Sequence, residues 1–182
     1  MHQTDEAIAA AVQQGDTSAF KTLLERYEAK ISRYGRRFLS NADDIADLVQ
    51  GIFIKAYVNI KSFDSERRFS PWIYRIAHNE FVNALKKTKR EPFFILETDT
   101  IFPTLPAKER SDDDLLSEEL KLSMERTLNS IGPKYREVLI LYFYEELSYQ
   151  DIADVLHIPI STVGVRLKRA KEELKKKYVQ LN

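Results

Sequence analysis

The stretch SYQDIADVLHIPISTVGVRLKRAKEELKKKY, Ser148–Tyr178, decides how the rest of the chain is read. Within it, Val163, Leu167, Ala170 and Leu174 recur at intervals of three and four, which aligns them on one face of an α-helix. Ile152, Ala153 and Leu156 of a shorter helix just before them offer an apolar surface for that stripe. Between the two, His157 and Ile158 form a turn that Pro159 closes. Helices this short, joined this tightly, predict a helix-turn-helix.

The face of the second helix away from the stripe carries Thr162, Arg166 and Arg169, with Ser161, Val165 and Lys168 alongside. From Arg166 to Lys177, seven basic residues stand against two acidic ones, Glu172 and Glu173. The first turn of such a helix offers unpaired backbone amides to a phosphate. Arg166 and Arg169 have the reach to read guanine edges in a major groove, and Val165 suits contact with a thymine methyl. Gly164 lowers helix stability while letting the backbone approach DNA closely. Ser161, Thr162, Gly164, Val165, Arg166, Lys168 and Arg169 are therefore the candidate contacts to duplex DNA. The Lys175–Lys177 run, taken alone, is better explained as a solvated helix end.

Outward from this motif, Val138, Leu139, Leu141, Tyr142 and Phe143 belong to a helix that begins after Gly132-Pro133. Leu116, Leu120, Met124 and Leu128 mark another over Leu115–Ile131. Further upstream, Pro92, Pro103 and Pro106 fall within fifteen residues that show no helical period, whereas no proline precedes Pro71. This is a linker, residues 92–113, between a first domain over 1–91 and a second over 114–182. In the first domain Asp16 is placed to cap a helix with the stripe Phe20, Leu23, Leu24, Tyr27 and Ile31. Asp43 or Asp44 opens a second helix bearing Ile45, Leu48, Val49, Ile52, Phe53 and Ala56, whose internal Gly51 costs about 1 kcal/mol relative to alanine. A loop over 59–70 precedes a third helix, where Pro71 suits the start and Trp72, Ile73, Ile76, Ala77, Phe81 and Leu85 continue the pattern. No stretch alternates like a strand. The predicted fold class is all-α, with two small helical domains joined by a flexible linker.

Composition narrows the function. The 182 residues include no cysteine, which removes disulfides, thiol catalysis and cysteine-ligated zinc. No apolar run approaches the roughly 20 residues that span a bilayer. The first residues, with Asp5 and Glu6 and no basic cluster, do not resemble a secretory signal, and a cytoplasmic protein fits best. Three scattered histidines (His2, His78, His157), no glycine-rich phosphate loop and no paired acid and base speak against an enzyme. No cofactor or metal is expected, since Asp112–Asp114, near a helix start, suit capping and the helix dipole.

Lys and Arg total 28, as do Asp and Glu, so the formal net charge is zero. The distribution is far from even. Residues 67–90 hold seven basic and one acidic residue, and residues 91–125 hold three and ten. A local basic stripe attracts phosphate whatever the total charge.

Together these residues carry a family resemblance over nearly the whole length. In the second half it rests on Leu128, Ile131, Pro133, Arg136, Leu139, Leu141, Ser148, Ile152, Ala153, Leu156, Thr162, Val163, Arg166, Leu167, Ala170 and Leu174. In the first it rests on Gly15-Asp16, Ala19-Phe20, Leu23, Tyr27, Asp47-Leu48-Val49-Gln50, Phe53-Ile54-Lys55-Ala56-Tyr57, Phe69, Trp72-Ile73, Ile76-Ala77 and Asn79. The chain resembles an extracytoplasmic-function (ECF) sigma factor, the two-domain promoter-recognition subunit of bacterial RNA polymerase. The resemblance makes the first domain region 2 and the second region 4, reader of the minus-thirty-five element.

The resemblance implies that the helix around Asp44, Asp47, Leu48, Gln50 and Ile54 docks on core RNA polymerase. The loop and helix from Phe63 to Lys87 would then capture the displaced strand of the minus-ten element. Holding unstacked bases calls for aromatic and amide groups above a basic groove. Phe63, Arg67, Arg68, Phe69, Arg75, Asn79, Asn83, Lys86 and Lys87 are the candidates, with core packing an open alternative for Phe69 and Trp72. The acidic linker would imitate RNA in polymerase channels. The implied partners are core polymerase, promoter DNA and an anti-sigma factor, the free protein being a monomer, and the implied role is a stress or envelope-signal regulon.

The chain departs from the family's usual pattern at Ala46 and Gly51, where Glu is common, and at Asn83 and Lys86, where Asp and Arg are usual. It departs again at Ser161, Gly164 and Val165 of the recognition helix. These changes point to altered docking and promoter preference. A stand-alone helix-turn-helix regulator, dimeric on duplex DNA, is the competing reading; it explains Ser148–Tyr178 and leaves Asp47–Lys87 without a role. Arg166→Ala is expected to lower transcription from the cognate promoter more than it lowers polymerase binding, as run-off and co-elution assays would show; equal losses would remove Arg166 from the DNA contacts.

Overall fold

A computed structural model describes residues 3–88, 127–128 and 130–181. The chain divides into two compact units, and among the described residues all regular structure is helical. The linker, and all of the Leu115–Ile131 helix but its end, lie outside the described residues.

The first unit holds α1 (Asp5–Gln13), α2 (Phe20–Gly35), α3 (Ala42–Asn59) and α4 (Phe69–Thr88), with short 3-10 turns at Thr17–Ala19 and Ile60–Ser62. Helix α1 was not anticipated by the apolar-stripe reading. Its signals are short: Thr4 accepts from the Ala7 amide as N-cap, Asp5 and Glu6 sit in the first turn, and Ile8, Ala9 and Val12 are buried. Asp16 caps as expected, although the turn it caps is 3-10 and runs into α2. Helix α3 is capped by Asn41, whose side-chain oxygen accepts from the amides of Asp43 and Asp44 at 2.8 and 3.2 Å. The two aspartates expected to open the helix are thus in its first turn, where their charge favours the positive end of the dipole. Helix α4 begins at Phe69, two residues before Pro71; the proline is tolerated there because first-turn amides have no helical partner.

Helix α2 packs on α1, α3 and α4, and α4 packs on α1 and α3 as well. Leu23, Ile31, Ile52, Ala56, Phe69, Ile73, Ala77 and Phe81 are fully buried between them. Tyr34 sits at the centre, with ring centroids 5.4 Å from Tyr74 and 6.2 Å from Phe81, while Phe38 stacks on Phe81 at 5.5 Å. The crossing of α2 and α4 is close because residue 35 has no side chain: a Cβ on Gly35 would lie 2.5 Å from Cζ of Phe81. Helix α1 is fastened to α2 by Asp5, whose carboxylate accepts from Arg26 and from the Tyr27 hydroxyl, the latter at 2.6 Å. Burial first, and Asp5 second, push the Tyr27 phenol well above its ordinary 10.0.

The second half of the chain forms α5 (Pro133–Phe143), α6 (Tyr149–Leu156) and α7 (Ile160–Leu181). As read from the sequence, Gly132 precedes α5 and Pro133 starts it. Val163, Leu167 and Ala170 are buried, but α7 packs most extensively on α5 rather than on the helix just before it. With eight residues against the twenty-two of α7, α6 is too short to cover the stripe, so the long stripe needs the longer partner.

Two glycines should respond oppositely to alanine. Gly35→Ala must displace the enclosed Phe81 ring and is expected to destabilise the first unit by about 1–3 kcal/mol, as overpacking does. Gly51 has open space around its Cβ direction, so Gly51→Ala should stabilise by up to about 1 kcal/mol. Urea unfolding of each variant checks both signs. A pH series tests Tyr27. Its raised pKa favours the neutral folded form, a contribution present below pH 10.0 and lost as pH rises beyond it. The stability difference between wild type and Tyr27→Phe should therefore shrink above that pH; a constant difference would refute the assignment.

Candidate nucleic-acid interface

In the second unit, the geometry of α7 is set by the turn before it. Ser148 and Asp151 form a capping box: the Ser148 hydroxyl accepts from the Asp151 amide at 3.1 Å, and the Asp151 carboxylate accepts from the Ser148 amide at 3.0 Å. Helix α6 then stops at His157, which takes a left-handed conformation at φ 53°. The Pro159 carbonyl accepts from the amides of Thr162 and Val163. The amides of Ile160 and Ser161, first in the helix, have no carbonyl one turn earlier.

On α7 the apolar stripe faces inward, while Ser161, Val165, Lys168 and Arg169 are exposed and Thr162, Gly164 and Arg166 are half-buried. All seven predicted duplex contacts thus fall on or beside one accessible face. Arg169 is not independent, since its guanidinium donates to the Tyr135 phenol oxygen of α5. That hydrogen bond, with help from Lys134, holds the phenol below its usual range. Gly164 is not required by internal packing, because a Cβ there would meet Tyr149 at an ordinary 3.7 Å.

In the first unit, the exposed side of α4 carries Arg75, Asn79, Asn83, Lys86 and Lys87, opposite the buried Ile73, Ala77 and Phe81. Arg67 and Arg68 are exposed in the preceding loop. A cleft of about 300 Å³ between α3 and α4 is lined by Asn59, Ser62, Trp72, Arg75 and Asn79, with Lys55 and Glu80 paired across it at 2.6 Å. Two predicted strand contacts are corrected by this arrangement. Phe63 and Phe69 are 5% and 0% exposed, their rings 5.4 Å apart, and neither presents a face on which a base can stack. The accessible aromatic is Trp72, half-buried, its ring 5.3 Å from Phe63 and 5.5 Å from Phe69. Spacing alone did not separate it from the core.

The docking candidates divide. Asp47, Gln50 and Ile54 line a groove of about 630 Å³ between α2 and α3, floored by Phe20, Leu24 and Phe53. Asp44 is exposed outside it, and Leu48 is half-buried. Two features had no site assignment from the sequence: Tyr57, quoted there only for the resemblance, which extends this groove with its ring 5.2 Å from Phe20, and a second apolar groove on the other unit. That groove, about 290 Å³, is lined by Leu139, Phe143, Leu174 and Tyr178, with the Lys171 ammonium 5.3 Å from the Phe143 ring centre. Both come from residues on different helices, so neither forms a motif along the chain. Among the described residues no group of acidic and histidine side chains could hold a metal, and no helix is long and apolar enough to cross a membrane.

Comparison with known proteins decides the family. Residues 23–91 match the Sigma-70 region 2 model and residues 121–174 match Sigma-70, region 4. The chain is 35% identical over 176 residues to the ECF RNA polymerase sigma factor SigW of Bacillus subtilis, covering 93% of this chain and 94% of that one. It belongs to the ECF sigma factor family. A second ECF relative, the sigma-E factor of Haemophilus influenzae, is 37% identical over 184 residues, 98% of this chain and 97% of its own. Among solved structures, the sigma factor RpoE bound to the anti-sigma factor NepR from Bartonella quintana matches with a TM-score of 0.63 and 26% identity, covering 87% of this chain and 95% of that one. CnrH in complex with the cytosolic domain of CnrY shares the fold, with a TM-score of 0.66 at 24% identity over 96% of both chains. As an ECF sigma factor, the protein directs promoter-specific initiation of transcription, and the stand-alone regulator reading loses its ground, since the first unit has its own assignment.

Proposed function

We propose a division of this ECF sigma factor's work among three surfaces. The α2–α3 groove, with Asp47, Gln50, Ile54 and Tyr57, receives core RNA polymerase. The α4 face, with Trp72, Arg75, Asn79, Asn83, Lys86 and Lys87 and the loop residues Arg67 and Arg68, holds the displaced strand of the minus-ten element. The exposed face of α7 from Ser161 to Arg169 reads the minus-thirty-five duplex. The domain limits 1–91 and 114–182, with the linker 92–113, follow the same division. The reading places the protein in the cytoplasm, a monomer when free, with no catalysis of its own. It is held in check by an anti-sigma protein, a partner supported by the RpoE–NepR complex of the related factor.

The single observation that carries the strand-binding assignment is the face of α4. Arg75, Asn79 and Asn83 stand at intervals of four with Trp72 at one end and two lysines at the other. Such a row offers a stacking surface, amide hydrogen bonds and phosphate-neutralising charge together, and a face kept merely for solubility needs none of that combination.

Run-off transcription with purified core polymerase over a promoter library should yield initiation at a defined sequence; folded protein that directs none would overturn the function. Gly164→Ala sharpens the α7 assignment. It should raise stability by up to about 1 kcal/mol, because the added methyl fits and helix propensity improves, yet lower run-off from the cognate promoter severalfold. Unchanged run-off would mean that DNA does not approach the backbone at residue 164.

A further inference from the structure

Helix α1 carries none of the proposed contact residues, yet two of its side chains reach the segment that carries Arg67 and Arg68. The Gln13 side-chain amide donates to two backbone carbonyls, Ile60 at 2.8 Å and Phe63 at 2.6 Å. Both amide hydrogens of Gln13 are used in this way, which fixes the orientation of its amide group. The Phe63 backbone is extended, with ψ at 129°, so its carbonyl has left the 3-10 turn and the Gln13 amide supplies its partner. At the far end of the same segment, Oε1 of Glu6 accepts from the Phe69 amide at 3.0 Å. Phe69 is the first residue of α4, and a carboxylate at that position both caps an unpaired donor and complements the helix dipole.

Glu6 and Gln13 lie seven residues apart, two helical turns on one face of α1, separated by about 10 Å along the axis. They grip the chain at Phe63 and at Phe69. Everything between, Asp64 to Arg68, is exposed. Inside these grips the segment has its own turn: Oδ1 of Asp64 accepts from the Glu66 amide, and the Asp64 carbonyl accepts from the Arg67 amide. The buried Phe63 and Phe69 rings pin the same two points from below. Helix α1 is itself held in register by Asp5 on Arg26 and Tyr27.

We infer that Gln13 and Glu6 are positioning residues for strand capture: they clamp the two ends of the Asp64–Arg68 loop and so fix where Arg67 and Arg68 meet the nucleic acid. The inference rests on the proposed function of that loop and adds α1 to the machinery. The Phe63 carbonyl, in a half-buried site, loses the Gln13 donor if the amide goes, while the Ile60 carbonyl keeps the Phe63 amide of its 3-10 turn, and a loop free at one end samples many shapes before a strand can bind it.

The test uses the full chain in complex with core polymerase. In Gln13→Glu, an isosteric change, a carboxylate replaces the two donors and confronts two carbonyl oxygens. Its expected signature is polymerase binding within about twofold of wild type and affinity for a single-stranded minus-ten oligonucleotide lower by about tenfold, with amide exchange faster at residues 61–69 and unchanged elsewhere in the first unit. A purely structural role would instead speed exchange throughout the unit and weaken polymerase binding in parallel, which would overturn the inference. So would faster loop exchange with unchanged oligonucleotide affinity. If Gln13→Glu does not fold, the second clamp decides. Glu6→Gln keeps an acceptor oxygen and should behave as wild type, whereas Glu6→Met removes it and should show the strand defect; equal behaviour of the two overturns the clamp. Failure of the wild-type holoenzyme to bind the oligonucleotide would instead overturn the strand-capture function of the loop, and the inference with it.

Discussion

The contact between Gly35 and the Phe81 ring governs the first unit. Because residue 35 offers only hydrogen, the end of α2 can approach α4 at the point where Tyr34, Phe38, Tyr74 and Phe81 gather. That approach fixes the rotation of α4 about its own axis. With Ile73, Ala77 and Phe81 turned inward, Arg75, Asn79 and Asn83 have no choice but to face outward. The same rotation aims Trp72 into the cleft beside α3. A functional face on a helix is in this sense the complement of a buried one, and here the buried one is secured by the absence of a side chain.

How much was legible follows from which signals are periodic. The stripes of α2, α3, α4 and α7 are long enough for spacing to reveal them, and so were the helix type and the basic faces opposite them. Helix α1 escaped because its nine residues hold only three buried positions, two of them the small Ala9 and the β-branched Val12. The caps were read by residue type, which offered Asp43 or Asp44 and passed over Asn41; the backbone chose Asn41, the last residue in extended conformation. Phe63 and Phe69 were misplaced for a related reason. An aromatic residue next to arginines reads equally as a base platform or as a core anchor, and the difference lies in contacts with Tyr27 and Trp72 that sit far along the chain or across a helix turn. Grooves were invisible for the same cause, each being the gap between two helices.

The zero net charge also takes on a structural meaning. The basic residues of α4 and its loop and those of α7 sit on faces whose reverse sides are apolar and buried. Acidic residues concentrate elsewhere, on α3 with Asp43, Asp44 and Asp47 and in the stretch 91–125. Each surface therefore has a local sign suited to a different class of partner, and a polymer of phosphates is attracted to some faces and repelled by others on the same molecule. Specificity of assembly begins with that sorting, before any individual hydrogen bond is made.

A loop held at its two ends through the backbone has an evolutionary consequence. At the flanks of the segment from Asp64 to Arg68, two phenylalanines are sunk in the core and two α1 side chains grasp the backbone rather than any side chain. Grasping backbone makes the hold indifferent to what the intervening residues are. Positions between the grips can then be exchanged with little disturbance to the scaffold, and under the proposed strand-capture role promoter preference can change there while the helices that display the loop stay as they are.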